Sequence, residues 1–147
     1  MKSAGSVAAS LRASNISEDV GVPISKVPEL LSRLSTAVSV YGLPFVIFGH
    51  AGDGNLHPKI MYDKTDPPQV AAVEAAAEEL FSLACSLGGT LTGEHGIGIA
   101  KAPYMTLEHE PVAIEMMRRV KKAFDPDNIL NPGKMALGND DTTGAHV

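Results

Sequence analysis

The chain has 147 residues, with 12 Lys and Arg against 17 Asp and Glu for a formal charge of −5, a balance that argues against nucleic acid as a partner. The length suits one domain or part of a larger protein and is enough to bury a core. A single cysteine excludes an internal disulfide, and no run of about twenty apolar residues or basic leader is visible, so the expectation is a cytoplasmic chain that does not span a membrane.

In chain order, residues 1–18 are small, polar and weakly periodic, and read as a loose N-terminal arm. In "DVGVPI", 19–24, Val20, Val22 and Ile24 alternate as in a half-buried strand, and Ser25 is placed to cap a helix. That helix carries Val27, Leu30, Leu31, Leu34, Ala37 and Val38 at helical spacing and stops near Gly42. "FVIFGH", 45–50, is a short apolar run expected to be a central strand. "LHPKIMY", 56–62, is its expected return partner, with Pro58 implying a bulge or an unpaired position.

From Pro68 to Leu87, Val70, Val73, Ala77, Leu80, Phe81, Ala84 and Leu87 form one stripe opposite Glu74, Glu78 and Glu79, ended by Gly88 and Gly89. Cys85 falls among these apolar positions and reads as a small buried hydrophobe. "GTLTGEHGIG" suggests a brief strand entering a glycine-rich turn. A last helix, about 111–124, is expected to bury Ala113, Met116, Met117, Val120 and Phe124 while Arg118, Arg119, Lys121 and Lys122 form a solvated face. "DPDNILNPGK" then makes an ordered turn, and residues 138–147 read as a disordered tail. The order strand, helix, strand, strand, helix, strand predicts an α+β fold, a ferredoxin-like antiparallel sheet with helices packed on one face, followed by a C-terminal helix and ordered tail.

Chemistry concentrates in two segments. In "HAGDGNLHP", 50–58, His50 and His57 are expected to face each other across the base of a hairpin, with Asp53 and Asn55 bonding the turned backbone. Two converging imidazoles hold a divalent metal if a third ligand is supplied, and Glu94 in "TGEHG" is a candidate. His95 is then adjacent and suited to act as a general base. Each has a plainer alternative: hydrogen-bonded structural histidines at 50 and 57, a surface carboxylate at 94, a loop histidine at 95, and turn formers at 53 and 55. The glycines of 88–98 lack the spacing of a phosphate cradle. His109 and His146 read as exposed and idle.

Together, "FGHAGDGNLHP", "GGTLTGEHGIG" and "FDPDNILNPGK" resemble the C-terminal half of FAD-linked oxidases of the vanillyl-alcohol oxidase type, in particular the glycolate oxidase flavin subunit and D-lactate dehydrogenases. "DVGVPISKVPELL" is similar to the same family's strand and helix entry, so the resemblance spans about residues 2–135. It implies a partial FAD-linked oxidase C-terminal domain over 19–137, oxidising a D-2-hydroxy acid such as glycolate or D-lactate by hydride transfer to FAD. By the same resemblance a divalent ion, expected to be zinc, is held by His50, His57 and Glu94, His95 is the base, and Asn131 lies near the cofactor. Asn55 and Lys59 are the candidate substrate contacts. Lys59 stands where the family is expected to have an apolar or amide side chain, so it either alters substrate preference or faces solvent.

The family's pyrophosphate-binding part has no counterpart here, and Met1 stands where relatives are expected to carry a carboxylate-binding arginine. The expectation is therefore a truncated or split chain, inactive alone, whose partners are a flavin-binding domain or subunit, an electron-transfer subunit and other copies of itself. The alternative is a metal-binding module without redox activity that pairs with a separate flavin chain. Hydrolytic zinc chemistry has the ligands but no HExxH helix.

Overall fold

The computed structural model describes residues 14–137, which fall into two compact units divided after Glu94. The first contains strands β1 (Ser14–Ser17) and β2 (Val20–Gly21), helix α1 (Val27–Val40), strands β3 (Phe45–His50) and β4 (Asn55–Tyr62), and helix α2 (Pro67–Ser86). β4 is central and every pairing is antiparallel: β3 runs along one edge, and β1 and β2 follow one another along the other. An open antiparallel sheet with helices is the expected α+β arrangement.

The register sorts residues by face, because side chains alternate along a strand. Ile60 of β4 packs with Leu43 and with Val73 and Ala76 of α2, so Leu56, Ile60 and Tyr62 share the face that meets the helices. Asn55, His57 and Lys59 point to the opposite face. α1 packs against α2 in turn. Leu30, Leu34, Val38, Leu80 and Phe81 are almost wholly buried, each stabilising the unit by about 1.5–3 kcal/mol relative to exposure.

Several local expectations are corrected. The arm expected over 1–18 includes a strand, Ser14–Ser17, which finds a partner in Lys59 to Tyr62; the rest of the arm, and the tail 138–147, lie outside the described residues. The half-buried strand expected over 19–24 is regular only at Val20–Gly21, followed by a 3-10 turn at Ile24–Lys26. Ser25 falls inside that turn, and α1 begins after Lys26 with no side-chain cap. Pro58 pairs in continuous register with Ile47, without a bulge. Its missing N–H falls where the far edge passes from β2 to β1, and its carbonyl accepts from the Glu18 amide at 2.9 Å. The strand expected near residue 90 is a single bridge between Thr90 and Gly21. Cys85 is half-buried rather than buried.

The second unit begins at His95 and contains a 3-10 segment at Ala102–Leu107 that was not anticipated, then helix α3 (Pro111–Phe124). The limits of α3 match expectation but its buried face does not: Met116, Val120 and Phe124 are exposed, Phe124 by 82%, and only Ile114 is buried. Met116, Met117 and Val120 instead line an open apolar groove with Ala113 and Leu137. The basic run is only partly a solvated face. Lys121 pairs with Asp125 and donates to the Leu130 carbonyl, while Lys122 donates to the Pro126 carbonyl, so both close the helix C-terminus. The turn after α3 is ordered, because the Asp125 carboxylate accepts from the amides of Ile129 and Leu130, each at 2.9 Å.

Candidate metal centre and active site

β3 and β4 close more tightly than expected. His50 pairs with Asn55 and Phe48 with His57, leaving residues 51–54 as the turn, so the two histidines are diagonal neighbours and not direct partners. The Asp53 amide donates to the His50 carbonyl at 2.9 Å. Gly54, at φ 73°, passes so close to the Val22 carbonyl that a Cβ would lie 2.0 Å from its oxygen. The diagonal offset keeps both imidazoles on the sheet face away from the helices. Their ring centroids are 5.7 Å apart, edge to face.

Glu94 reaches the same point from the bend after Thr90. Its Oε1 lies 3.3 Å from His57 Nε2 and 3.9 Å from His50 Nε2. One ligand atom from each of His50, His57 and Glu94 can be chosen so that all lie within 4.8 Å of one another. Tetrahedral zinc with bonds of about 2.0–2.1 Å places its ligand atoms about 3.3 Å apart. The Glu94–His57 separation already matches that edge, and His50 closes the remainder by a small rotation that its 58% side-chain exposure leaves free. Two neutral imidazoles and a carboxylate suit zinc and similar divalent ions and leave coordination positions open. The residues present therefore fit a metal.

His57 is rigid and the other two are adjustable. His57 lies in the central strand with an 8% exposed side chain, whereas His50 and Glu94 are more than half exposed. The Phe48 ring stands 5.6 Å from that of His57, centroid to centroid. Lys59, on the same face, holds its Nζ 6.0 Å from the Phe48 centroid. Asn55 is buried, and its Oδ1 has no hydrogen-bond partner among the described residues.

In the sequence Asp19 reads only as the start of a strand. Its side chain is completely buried: one oxygen accepts from the Glu94 amide at 2.6 Å, and the other lies 3.4 Å from His57 Nδ1. The available signal was a carboxylate opening an alternating apolar run. The remaining candidates belong to the second unit. His95 is its first residue, exposed and directly after Glu94, and Asn131 is exposed in the left-handed conformation at φ 50°.

Residues 1–135 match the family described as FAD linked oxidases, C-terminal domain. The chain belongs to this family. It is 44% identical over 134 residues to the glycolate oxidase subunit GlcD of Bacillus subtilis, a match covering 91% of this chain and 28% of that protein. It is 40% identical over 119 residues to the probable mitochondrial D-lactate dehydrogenase of Danio rerio, covering 81% of this chain and 24% of that protein. Against the D-lactate dehydrogenase of Archaeoglobus fulgidus it is 41% identical over 118 residues, covering 80% of this chain and 26% of that protein. This FAD-linked oxidase domain thus spans about a quarter of the length of the relatives it matches. No helix among the described residues is long and apolar enough to cross a membrane.

Proposed function

We propose that the chain contributes the metal ligands and the general base to an FAD-dependent oxidation of a small D-2-hydroxy acid, glycolate or D-lactate, to the 2-oxo acid. The observation that carries this is the set of three ligand atoms, from His50, His57 and Glu94, within 4.8 Å of one another on one sheet face. The names of the glycolate oxidase and D-lactate dehydrogenase relatives supply the substrate class.

His50, His57 and Glu94 would hold a divalent ion, zinc fitting the donor set. When bound, the ion acts as a Lewis acid toward the substrate hydroxyl and carboxylate oxygens. FAD, the cofactor the family implies, supplies the hydride acceptor. An α-carbon releases hydride readily only when its oxygen carries developing negative charge, so a base at that oxygen lowers the same barrier. A ring nitrogen of His95 takes the hydroxyl proton. Asn55 offers a polar contact to the substrate, Lys59 adds positive charge on the same sheet face, and Asn131 is assigned to the cofactor side.

The flavin comes from a flavin-binding domain or subunit, so the 147 residues alone should not turn over substrate. The test is zinc content by elemental analysis for the chain and for His50→Ala and Glu94→Gln, together with glycolate and D-lactate oxidation after adding a flavin-loaded N-terminal portion of a relative. Zinc near one equivalent, lost in both variants, and turnover only in the combined sample support the proposal. Metal binding without turnover would favour a module that has lost redox activity, and an absence of metal would refute the centre itself.

A further inference from the structure

We propose that Asp19 is the positioning residue of this centre: its one buried carboxylate fixes the tautomer of His57 and the placement of Glu94. This rests on the metal reading above. The pairs Ser17 with Lys59 and Val20 with Leu56 place Asp19 opposite His57 across β4, on the same sheet face, in the gap where β1 gives way to β2. Its exposure is 0%. A carboxylate kept from water is costly unless its oxygens meet donors.

The two oxygens divide the work. Oδ2 accepts from the Glu94 amide at 2.6 Å, which pins the backbone of one ligand to the strand edge. Oδ1 lies 3.4 Å from His57 Nδ1, while Nε2 on the other side of that ring lies 3.3 Å from Glu94 Oε1. An ionised carboxylate only accepts, and neutral imidazole has a single N–H. Carboxylates face both ring nitrogens at similar distances, but that of Glu94 is half exposed and screened by water whereas that of Asp19 is wholly buried, so the proton is favoured on Nδ1, leaving the Nε2 lone pair aimed at the metal position. A carboxylate behind a ligating histidine commonly serves this purpose, and its loss typically weakens metal affinity 10–100-fold. The chain also reserves space for the carboxylate: a Cβ on Gly93 would stand 2.3 Å from Asp19 Oδ1.

The decisive substitution is Asp19→Asn, which keeps the shape and an oxygen for the Glu94 amide but turns an NH2 group toward His57. The tautomer is read by 15N NMR of the imidazole in the metal-free 147-residue chain, near pH 8.5, about two units above the ordinary histidine value. Affinity for zinc alone is read by chelator competition. The expected result is Nδ1–H in the parent chain, Nε2–H in Asp19→Asn, and zinc binding 10–100-fold weaker in the variant at an unchanged far-UV CD spectrum. Zinc binding within twofold of the parent, or an unchanged tautomer, overturns the proposal. If Asp19→Asn does not fold, the parent spectrum decides: Nδ1–H supports the assignment and Nε2–H overturns it. Because that spectrum needs no metal, Nδ1–H in a chain that binds no zinc would remove the metal centre while leaving the tautomer assignment intact. Tight zinc binding shared by parent and variant would do the reverse.

Discussion

Gly93→Ala puts the geometry around Asp19 under direct load. A Cβ at position 93 would lie 2.3 Å from Asp19 Oδ1, 2.6 Å from Asn55 Oδ1 and 2.9 Å from Asp19 Cγ. Non-bonded heavy atoms settle at about 3.5 Å or more, so the neighbours must retreat by about an ångström. Neither has an easy escape, because Asp19 is 0% and Asn55 9% exposed, and they belong to different parts of the sheet. Overpacking of this kind costs about 1–3 kcal/mol, and two displaced polar groups argue for the upper half, about 2–3 kcal/mol. For a chain of this size that is a fall in melting temperature of about 6–12 °C. Gly52→Ala is the control: a Cβ there meets nothing within 4 Å, and its effect should stay within about 0.5 kcal/mol. The assay is thermal unfolding of the metal-free chain followed by far-UV CD. A Gly93→Ala chain melting within about 2 °C of the parent would refute the argument that the Asp19 carboxylate fills the space beside Gly93.

Other perturbations separate the core, the helix end and the exposed face. Phe81, at 1% exposure, is among the largest wholly buried side chains, and Phe81→Ala should cost about 3–5 kcal/mol in urea unfolding. Asp125 is held below the usual carboxylate range chiefly by its hydrogen bond from Lys121, with burial opposing and the Leu130 and Ile129 amides assisting. Its folded value being the lower one, its contribution is fully present above the unfolded value of about 3.9 and is lost as pH falls through the folded value. The stability gap between parent and Asp125→Asn should therefore hold from about pH 5 to 8 and shrink below about pH 4, as read from urea midpoints at each pH. Val120 and Phe124 are 56% and 82% exposed on α3. Self-association of the 147-residue chain should fall in Val120→Lys/Phe124→Lys, measured by sedimentation velocity, with unchanged far-UV CD.

What the sequence disclosed depended on the range of the interaction concerned. α2 was legible almost to the residue, because the stripe from Val73 to Leu87 is a local periodicity ended by two glycines. The same logic found the limits of α3 and misjudged its face, since periodicity identifies an apolar stripe but not what covers it; Phe124 satisfies the pattern while standing in solvent. The hairpin was foreseen and its register was not. Glycine and asparagine between His50 and the return strand at Leu56 read as loop, yet Asn55 extends the ladder, pairing with His50. Local turn propensity gave way to continued strand pairing. The carboxylate of Asp19 at the head of an apolar run hints at burial but not at its partner, because the amide it meets on Glu94 is 75 residues away and no short-range pattern encodes that contact.

These differences bear on how the proposed metal centre can arise from so little sequence. His50 and Glu94 are more than half exposed and adjustable, so neither can define where an ion sits. His57 would, because it is paired with Phe48 in the central strand and Phe48 and Asp19 flank its ring. In the proposed centre the strand would supply the fixed point and the two exposed side chains would close upon it. That division limits the entropy lost on binding, since one ligand is ordered by folding itself and only two side chains must be immobilised afterwards. Under that proposal the carboxylate behind His57 would be the controlling element. A ring whose proton prefers the other nitrogen must shift it before its lone pair can meet an ion, a cost that no adjustment of His50 or Glu94 removes.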